Sequence, residues 1–214
     1  MLTWSNFLCG LFLIALVLGA FKAFLPLIKG KLGERYVQKS FELNFQAPYV
    51  LINDLTLKDD QGQTTQIDHI ILSPYGIFVI ETKNYKGWIF GSAKQKQWTQ
   101  TIYQRKHKFQ NPIHQNYRHI KILQSIFQDI VAEQLFVNVV LFVGDAEFKT
   151  QLPKGVFDDQ QWIAYIKTFQ QAQISTGQIT LMQQCLDKVS LEKSWKTHRD
   201  HVAQLKQRQA TRVK

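Results

Sequence analysis

Two apolar segments that carry charged residues constrain the fold of this chain most. The segments Gln66–Leu72 (QIDHIIL) and Ile77–Lys83 (IFVIETK) are rich in Ile, Leu, Val and Phe, as buried strands are. The four residues between them (SPYG) have Pro at the second position and Gly at the fourth, which is typical of a β-turn. The pattern therefore predicts a β-hairpin with largely buried strands.

The charged residues of this hairpin need partners. Side chains alternate along a strand, so Glu81 and Lys83 share one face, and Asp68 lies within the preceding strand. Two carboxylates and an ammonium group are costly in apolar strands unless they are paired or bind a cation. The pattern thus indicates either a metal-binding active site or a buried ion-pair network without activity. His69, on the face opposite Asp68, is interpreted as a core or supporting residue rather than a ligand.

These residues belong to a longer pattern that resembles the nuclease-related domain (NERD) family, a group with the PD-(D/E)xK nuclease signature. Asp68 is preceded by Ile67 instead of the proline of the wider signature, as is usual in NERD. The matching motifs occur in order between residues 30 and 127: Gly33-Glu34, Gln66-Ile67-Asp68-His69, Ile80-Glu81-Thr82-Lys83, Trp98-Thr99-Gln100, and Asn111-Pro112 followed by Gln115.

The resemblance implies an α/β fold of the restriction-endonuclease type, a mixed sheet flanked by helices. It also implies a hydrolase that cleaves DNA phosphodiester bonds with Mg²⁺ or Mn²⁺. By this resemblance, Asp68, Glu81 and the backbone carbonyl of Thr82 would hold the metal. The implied catalytic residues are Glu34, Asp68, Glu81, Lys83 and Gln100.

The remaining roles also follow from the resemblance. Lys83 would orient or activate a water, or neutralise the developing charge on phosphorus. Glu34 matches a helical carboxylate that binds metal through water or holds a second ion, and Gln100 matches a polar residue that braces the site. The chemistry independently needs such a set, because phosphodiester hydrolysis uses a metal, a polarised water and a cation near negative charge.

The charge distribution indicates a polyanionic partner. The 26 Lys and Arg exceed the 16 Asp and Glu, which gives a formal charge of +10. Residues 82–128 contain nine basic and no acidic residues. The expected nucleic-acid contacts are Lys86, Lys94, Lys96, Arg105, Lys106 and Lys108. Aromatic residues that could stack on bases are interleaved with them: Trp88, Phe90, Trp98, Tyr103, Phe109 and Tyr117. The alternative is that most of these aromatics are core residues and the charges form a solvated face.

The N-terminus is predicted to anchor the chain in a membrane. Phe7–Phe21 is an uncharged apolar run, and with its flanks it reaches the length of a transmembrane helix. Basic residues follow the run: Lys22, Lys29, Lys31 and Arg35. The positive-inside rule then predicts a single-pass protein with its main domain in the cytoplasm. The alternatives are a cleaved signal peptide, which ordinarily has basic residues before its apolar core, and a buried core helix.

The rest of the chain is interpreted as α/β. A membrane anchor (1–28), a NERD core (29–145) and a helical C-terminal extension (146–214) are expected. The predicted helices are Gly30–Phe41, Asn111–Phe127, Gln161–Gln171, Gln178–Val189 and Ser190–Gln209. Besides the hairpin, the predicted strands are Tyr49–Leu57, Gly87–Gly91, Gln97–Tyr103 and Phe136–Val143. The two scattered cysteines and the spacing of the histidines predict neither a disulfide nor a zinc site.

Two functions are compatible with these features. The first is a membrane-anchored, metal-dependent nuclease that faces the cytoplasm. The second is a catalytically inactive module that tethers DNA or a protein complex at the membrane and needs only the basic stretch. A third possibility is self-association through the helix Ser190–Gln209.

Overall fold

The predicted hairpin lies in the middle of a five-stranded mixed sheet in the computed structural model, which describes residues 4–59, 61–158, 160–191 and 203. The described strands are β1 (Val50–Lys58), β2 (Thr64–Ser73), β3 (Gly76–Asn84), β4 (Gly87–Phe90), β5 (Gln97–Ile102), β6 (Arg105–Gln110), β7 (Phe136–Val143), β8 (Ala146–Phe148) and β9 (Val156–Phe157). The α-helices are α1 (Trp4–Asn44), α2 (Pro112–Ile126), α3 (Gln161–Lys167) and α4 (Thr176–Val189), and Glu133–Leu135 forms a 3₁₀ turn.

The five-stranded sheet has the order β1-β2-β3-β7-β9. Its first three strands are antiparallel, whereas β7 and β9 run parallel to β3. Helix α2 lies between β3 and β7 in the chain and provides the crossover that a parallel pair requires. This architecture confirms the predicted α/β class with a mixed sheet flanked by helices.

Both faces of this sheet are covered. On one face, α1 and α3 pack against Phe78 and Ile80. On the other face, α2 and α4 pack against Ile77 and Val79. Strand β3 is consequently buried on both sides, which explains the nearly continuous apolar run that precedes Glu81.

Two asparagines fix α2 relative to the strands. Asn111 caps the helix by accepting a hydrogen bond from the Ile113 N–H, and its own amide donates to the Gln95 carbonyl. The buried Asn116 amide donates to the carbonyls of Val79 and Val139, one on each of the parallel strands β3 and β7. These bonds determine which α2 side chains face the end of β3.

The structure contains a second sheet, whereas the sequence analysis predicted a single one. Strands β6, β5, β4 and β8 form a separate four-stranded sheet in that order. Strand β6 was not predicted, because Phe109 is the only apolar residue in its sequence RKHKFQ. Strands β8 and β9 were also not predicted, and they bring part of the segment 146–214 into the two sheets.

The helices differ from the prediction mainly at their ends. Helix α1 extends the predicted Gly30–Phe41 in both directions, and α3 ends at Lys167 instead of Gln171. The predicted helix Ser190–Gln209 lies almost entirely outside the described residues.

The predicted membrane anchor is not supported by the structure. In the described part of the chain, no helix combines the length and apolar character that a membrane crossing needs. Residues 1–3 and most side chains between residues 4 and 27 lie outside the described set, so the anchor at residues 1–28 stays a prediction.

Gly33 lets α1 approach the sheet closely. A methyl group added at Gly33 would lie 2.9 Å from Val143 Cγ2 and 3.2 Å from Thr82 Cγ2. Three residues earlier in the same helix, a methyl group at Gly30 would have no described atom within 4 Å.

We expect Gly33→Ala and Gly30→Ala to have opposite effects on stability. Alanine at Gly30 should stabilise the helix by up to about 1 kcal/mol, since it has the higher helix propensity. Alanine at Gly33 should be less stable than the Gly30 variant by about 1–3 kcal/mol, because it overpacks the contact with the sheet. Urea unfolding followed by circular dichroism measures both, and equal midpoints for the two variants would contradict this packing.

Candidate active site

Asp68 and Glu81 are neighbours on adjacent antiparallel strands. His69 pairs with Ile80, which places Asp68 beside Glu81 on the face that α2 covers. The Thr82 backbone N–H donates a 2.7 Å hydrogen bond to Asp68 Oδ2. The two strands therefore bring together the two carboxylates that the motif predicts, and a main-chain donor orients one of them.

Lys83 completes this cluster from the same strand. Its Nζ lies 2.5 Å from Glu81 Oε1 and 3.1 Å from Gln115 Oε1. The Glu81 side chain is only 3% exposed, and that of Lys83 is 16% exposed. The ion pair is thus largely buried, and the Gln115 amide oxygen on α2 accepts a hydrogen bond from the ammonium group.

Burial and charge shift the pKa values of this cluster. Burial and the charge of Glu81 raise the pKa of Asp68 well above its usual range, although the Thr82 N–H and Lys83 oppose the shift. Burial acts to lower the pKa of Lys83, but the charge and hydrogen bond of Glu81, together with Asp68, raise it overall. Lys83 is therefore a permanent cation at neutral pH.

One oxygen of Glu81 is left for a further ligand. Glu81 Oε2 is buried, has no hydrogen-bond donor among the described residues and lies 3.7 Å from His119 Nδ1, too far for a hydrogen bond. The described residues contain no group of three or more His, Cys, Asp and Glu side chains arranged around a common metal position. Magnesium usually takes only one or two carboxylates and fills its shell with water and other oxygens. Two adjacent carboxylates, one with a free buried oxygen, fit that ion.

Glu34 and Gln100 occupy different positions around this cluster. Glu34 follows Gly33, where α1 touches Thr82, and its charge contributes to the raised pKa of Asp68. Gln100 lies on β5 of the second sheet, and its amide donates to the Lys86 carbonyl at 2.8 Å. Glu34 is thus electrostatically part of the cluster, whereas Gln100 acts on the chain segment that leaves β3.

The basic residues predicted to contact nucleic acid are all exposed. Lys86 connects β3 to β4, two others precede β5, and three lie on β6; in full they are Lys86, Lys94, Lys96, Arg105, Lys106 and Lys108. The interleaved aromatics divide into two groups. Trp98 and Phe109 are core residues, as the alternative interpretation held, and the exposed ones are Trp88, Phe90, Tyr103 and Tyr117.

Three residues near the cluster were not predicted to act there. The sequence motif that begins with Asn111 includes Gln115, but no role at the site was predicted for it. Its fixed spacing from the helix cap Asn111 is the sequence feature that could have indicated one. His119 follows Gln115 by one helical turn, so it faces the same strand. His69 bonds Asn53 Oδ1 through Nδ1 at 2.7 Å, and burial lowers the pKa of His69 to about 4, so it is a neutral supporting residue.

Similarity to known proteins supports the interpretation of these motifs. An uncharacterized protein of Bacillus anthracis is 45% identical over 107 residues, which make up 50% of this chain and 50% of that protein. The chain thus spans about half the length of this relative. No solved structure shows a significant match. A family model described as the nuclease-related domain matches residues 29–143, more than half of the chain. The PD-(D/E)xK superfamily is consistent with that match, and the chain belongs to the nuclease-related domain family.

Proposed function

We propose that this protein is a metal-dependent nuclease that hydrolyses DNA phosphodiester bonds at the Asp68–Glu81–Lys83 cluster. The observation that carries the proposal is a pair of adjacent carboxylates next to the partly buried Lys83: Glu81 is buried with one unsatisfied oxygen, and Asp68 is partly buried. Lys83 pairs with Glu81, so the charged form of Asp68 has no full countercharge, and its pKa is raised. A bound cation would stabilise that charged form.

Asp68 and Glu81 would hold Mg²⁺ or Mn²⁺, with the Thr82 carbonyl as a further oxygen ligand. The bound ion would supply Lewis-acid neutralisation of the phosphate oxygens. The Thr82 N–H keeps the Asp68 carboxylate in a fixed orientation, which reduces the reorganisation needed for binding. Glu34 would add negative charge on the α1 side, where a water ligand could be held.

Lys83 would act as a cation and not as a base. In the metal-free site the pKa of Lys83 is raised, which favours the protonated ammonium group over the free amine that a base needs. It would instead attract the phosphate and stabilise the negative charge that develops as the P–O bond breaks. Gln115 holds the Lys83 ammonium group in place for this role.

We expect Asp68→Asn, Glu81→Gln and Lys83→Gln each to lower DNA cleavage by at least about 100-fold, the scale for the loss of one electrostatic contact to a transition state. Cleavage of labelled DNA with Mg²⁺, with Mn²⁺ and with EDTA measures this effect. Glu133→Gln, the same chemical change at an exposed carboxylate, is the control and should keep full activity.

Folding and DNA binding should persist in these three variants. Circular dichroism and a DNA-binding assay in EDTA check this. Wild-type cleavage in all three variants would place the active site elsewhere.

We also expect Asp68→Asn to stabilise the metal-free protein in a pH-dependent way. The folded pKa of Asp68 is raised, so the folded wild-type chain loses stability as the pH rises from about 4 through that pKa. Asparagine removes this loss and keeps the acceptor for the Thr82 N–H. The gain at pH 8 should be about 1–3 kcal/mol and should vanish below pH 4.

Thermal unfolding in EDTA across this pH range measures the gain. Asp129→Asn, at an exposed position, is the control and should show no such trend. A gain that is the same at every pH would show that the Asp68 charge does not cause it.

A specific observation favours a second candidate, the inactive DNA-binding module. The Glu81–Lys83 pair at 2.5 Å already satisfies the Lys83 ammonium group without any metal. The module would bind DNA in a salt-dependent manner and show no hydrolysis with any divalent ion. The cleavage assay above separates the two candidates.

We propose further that the N-terminal apolar run anchors the protein in a membrane with the nuclease-related domain on the cytoplasmic side. The support is in the sequence alone: Phe7–Phe21 has no charged residue, and the first basic residues follow it. An anchored nuclease would act on DNA that approaches the membrane surface.

We expect the 214-residue chain to stay with the membrane fraction after alkaline extraction, whereas a chain that begins at Lys29 should be released. The apolar run supplies the membrane affinity, so a chain without this run should have none. A matched control replaces Leu13 and Leu16 by alanine, which preserves most of the apolar character and should keep the protein in the membrane. Release of the 214-residue chain would contradict the anchor.

A further inference from the structure

The four-stranded sheet has a face that the domain core does not cover. Cross-strand pairing aligns Trp88 with Thr101 and Lys106 in one row, and Phe90 with Thr99 and Lys108 in the next. Paired side chains lie on the same side of a sheet, so these six residues share one face, which we call the platform. The opposite face carries Ile89, Trp98 and Phe109, which are buried in the core.

The two aromatic rings of the platform are unusually accessible. Trp88 is 48% exposed and Phe90 is 37% exposed, whereas Trp98 on the opposite face is fully buried. Trp88 and Phe90 are two residues apart on β4, so their side chains leave the same face from backbone positions about 6.5–7 Å apart. Two stacked bases can each use one such ring, since every base presents a π-face.

Positive charge surrounds these rings. Lys106 and Lys108 lie two strands away in the same rows, and the segment 82–128 contains no acidic residue. The residue paired with Trp88 on β8 is acidic, but Lys149 neutralises this Glu147 in an ion pair. The Lys149 ammonium group lies 4.8 Å from the centre of the Trp88 ring. The platform thus offers aromatic surface and lysine side chains side by side.

The platform continues into an open cavity of about 800 Å³. Phe90, Thr99 and Lys108 belong to both, and the cavity adds two further lysines, Lys96 and Lys154. A chain that crosses the platform can therefore continue along a basic concavity. The platform is linked to the candidate active site along the chain, since Trp88 follows Lys83 by five residues.

We propose that the platform binds single-stranded DNA by stacking unpaired bases on Trp88 and Phe90, with Lys106 and Lys108 on the phosphates. This inference rests on the proposed function for the identity of the nucleic acid. Duplex DNA buries its base faces in its own stack and presents phosphates and base edges, so it can use the lysines but not the rings. Stacking would thus select unpaired DNA.

The test measures binding of the 214-residue chain, in neutral detergent and EDTA, to a fluorescein-labelled 20-nucleotide strand and to the matching duplex. We expect Trp88→Ala and Phe90→Ala each to weaken single-strand binding roughly 5- to 100-fold and to leave duplex binding nearly unchanged. Trp88→Phe retains a stacking ring and should restore most of the affinity. Lys106→Gln with Lys108→Gln should weaken both ligands and reduce the salt dependence of binding.

Leu181→Ala is the matched control, because Leu181 is a large apolar residue that is 51% exposed and lies on α4, outside the second sheet. Single-strand binding that Trp88→Ala and Phe90→Ala leave intact, or that Leu181→Ala weakens equally, overturns the platform. Absence of wild-type single-strand binding at low salt overturns it as well. The binding assay contains no metal, so it is independent of cleavage. Platform binding without Mg²⁺-dependent cleavage would refute only the proposed function. Cleavage without platform binding would refute only this inference.

Discussion

The burial of Asp68 beside Glu81 is the constraint on which the rest of the structure depends. Two neighbouring carboxylates in an apolar sheet repel each other and lose hydration. The structure offsets this cost with the Thr82 N–H on one carboxylate and the Lys83 ammonium group on the other. These donors must stay within hydrogen-bond distance, so the strand register, the close approach of α1 and the position of α2 all have to be rigid.

Apolar packing provides that rigidity. Strand β3 is buried on both faces, and the helices on either side are fixed by features that tolerate little change. Gly33 is the residue that lets α1 touch the sheet, and Asn116 ties α2 to both parallel strands. Gln115, next to Asn116, consequently reaches Lys83. The polar cluster is thus held in place by the hydrophobic packing of both helix layers against the sheet.

The second sheet gives the chain a different kind of surface. Its first strand, β4, begins four residues after Lys83, so the segment that leaves the cluster leads directly into this sheet. One of its faces completes the core, and the other exposes Trp88 and Phe90 among lysines. The +10 charge is unevenly distributed, because nine basic and no acidic residues lie between residues 82 and 128, which run from the end of β3 through β4, β5 and β6 into α2.

Short-range sequence patterns predicted much of the fold and part of the candidate site. The hairpin, the shared face of Glu81 and Lys83, and the helix after Asn111 depend on alternation, turn residues and caps, which are local properties of the sequence. Strand β6 could not be predicted, because a strand with one apolar residue exists only through its pairing with β5. The sequence by itself determined which residue types are available for metal binding and phosphate contact. Only the tertiary structure decided that Trp98 is core and Trp88 is surface, and that Gln115 reaches Lys83 while Gln100 bonds Lys86. These outcomes depend on which face of a sheet is covered and which helix crosses it, and such long-range packing leaves no periodic trace in the chain.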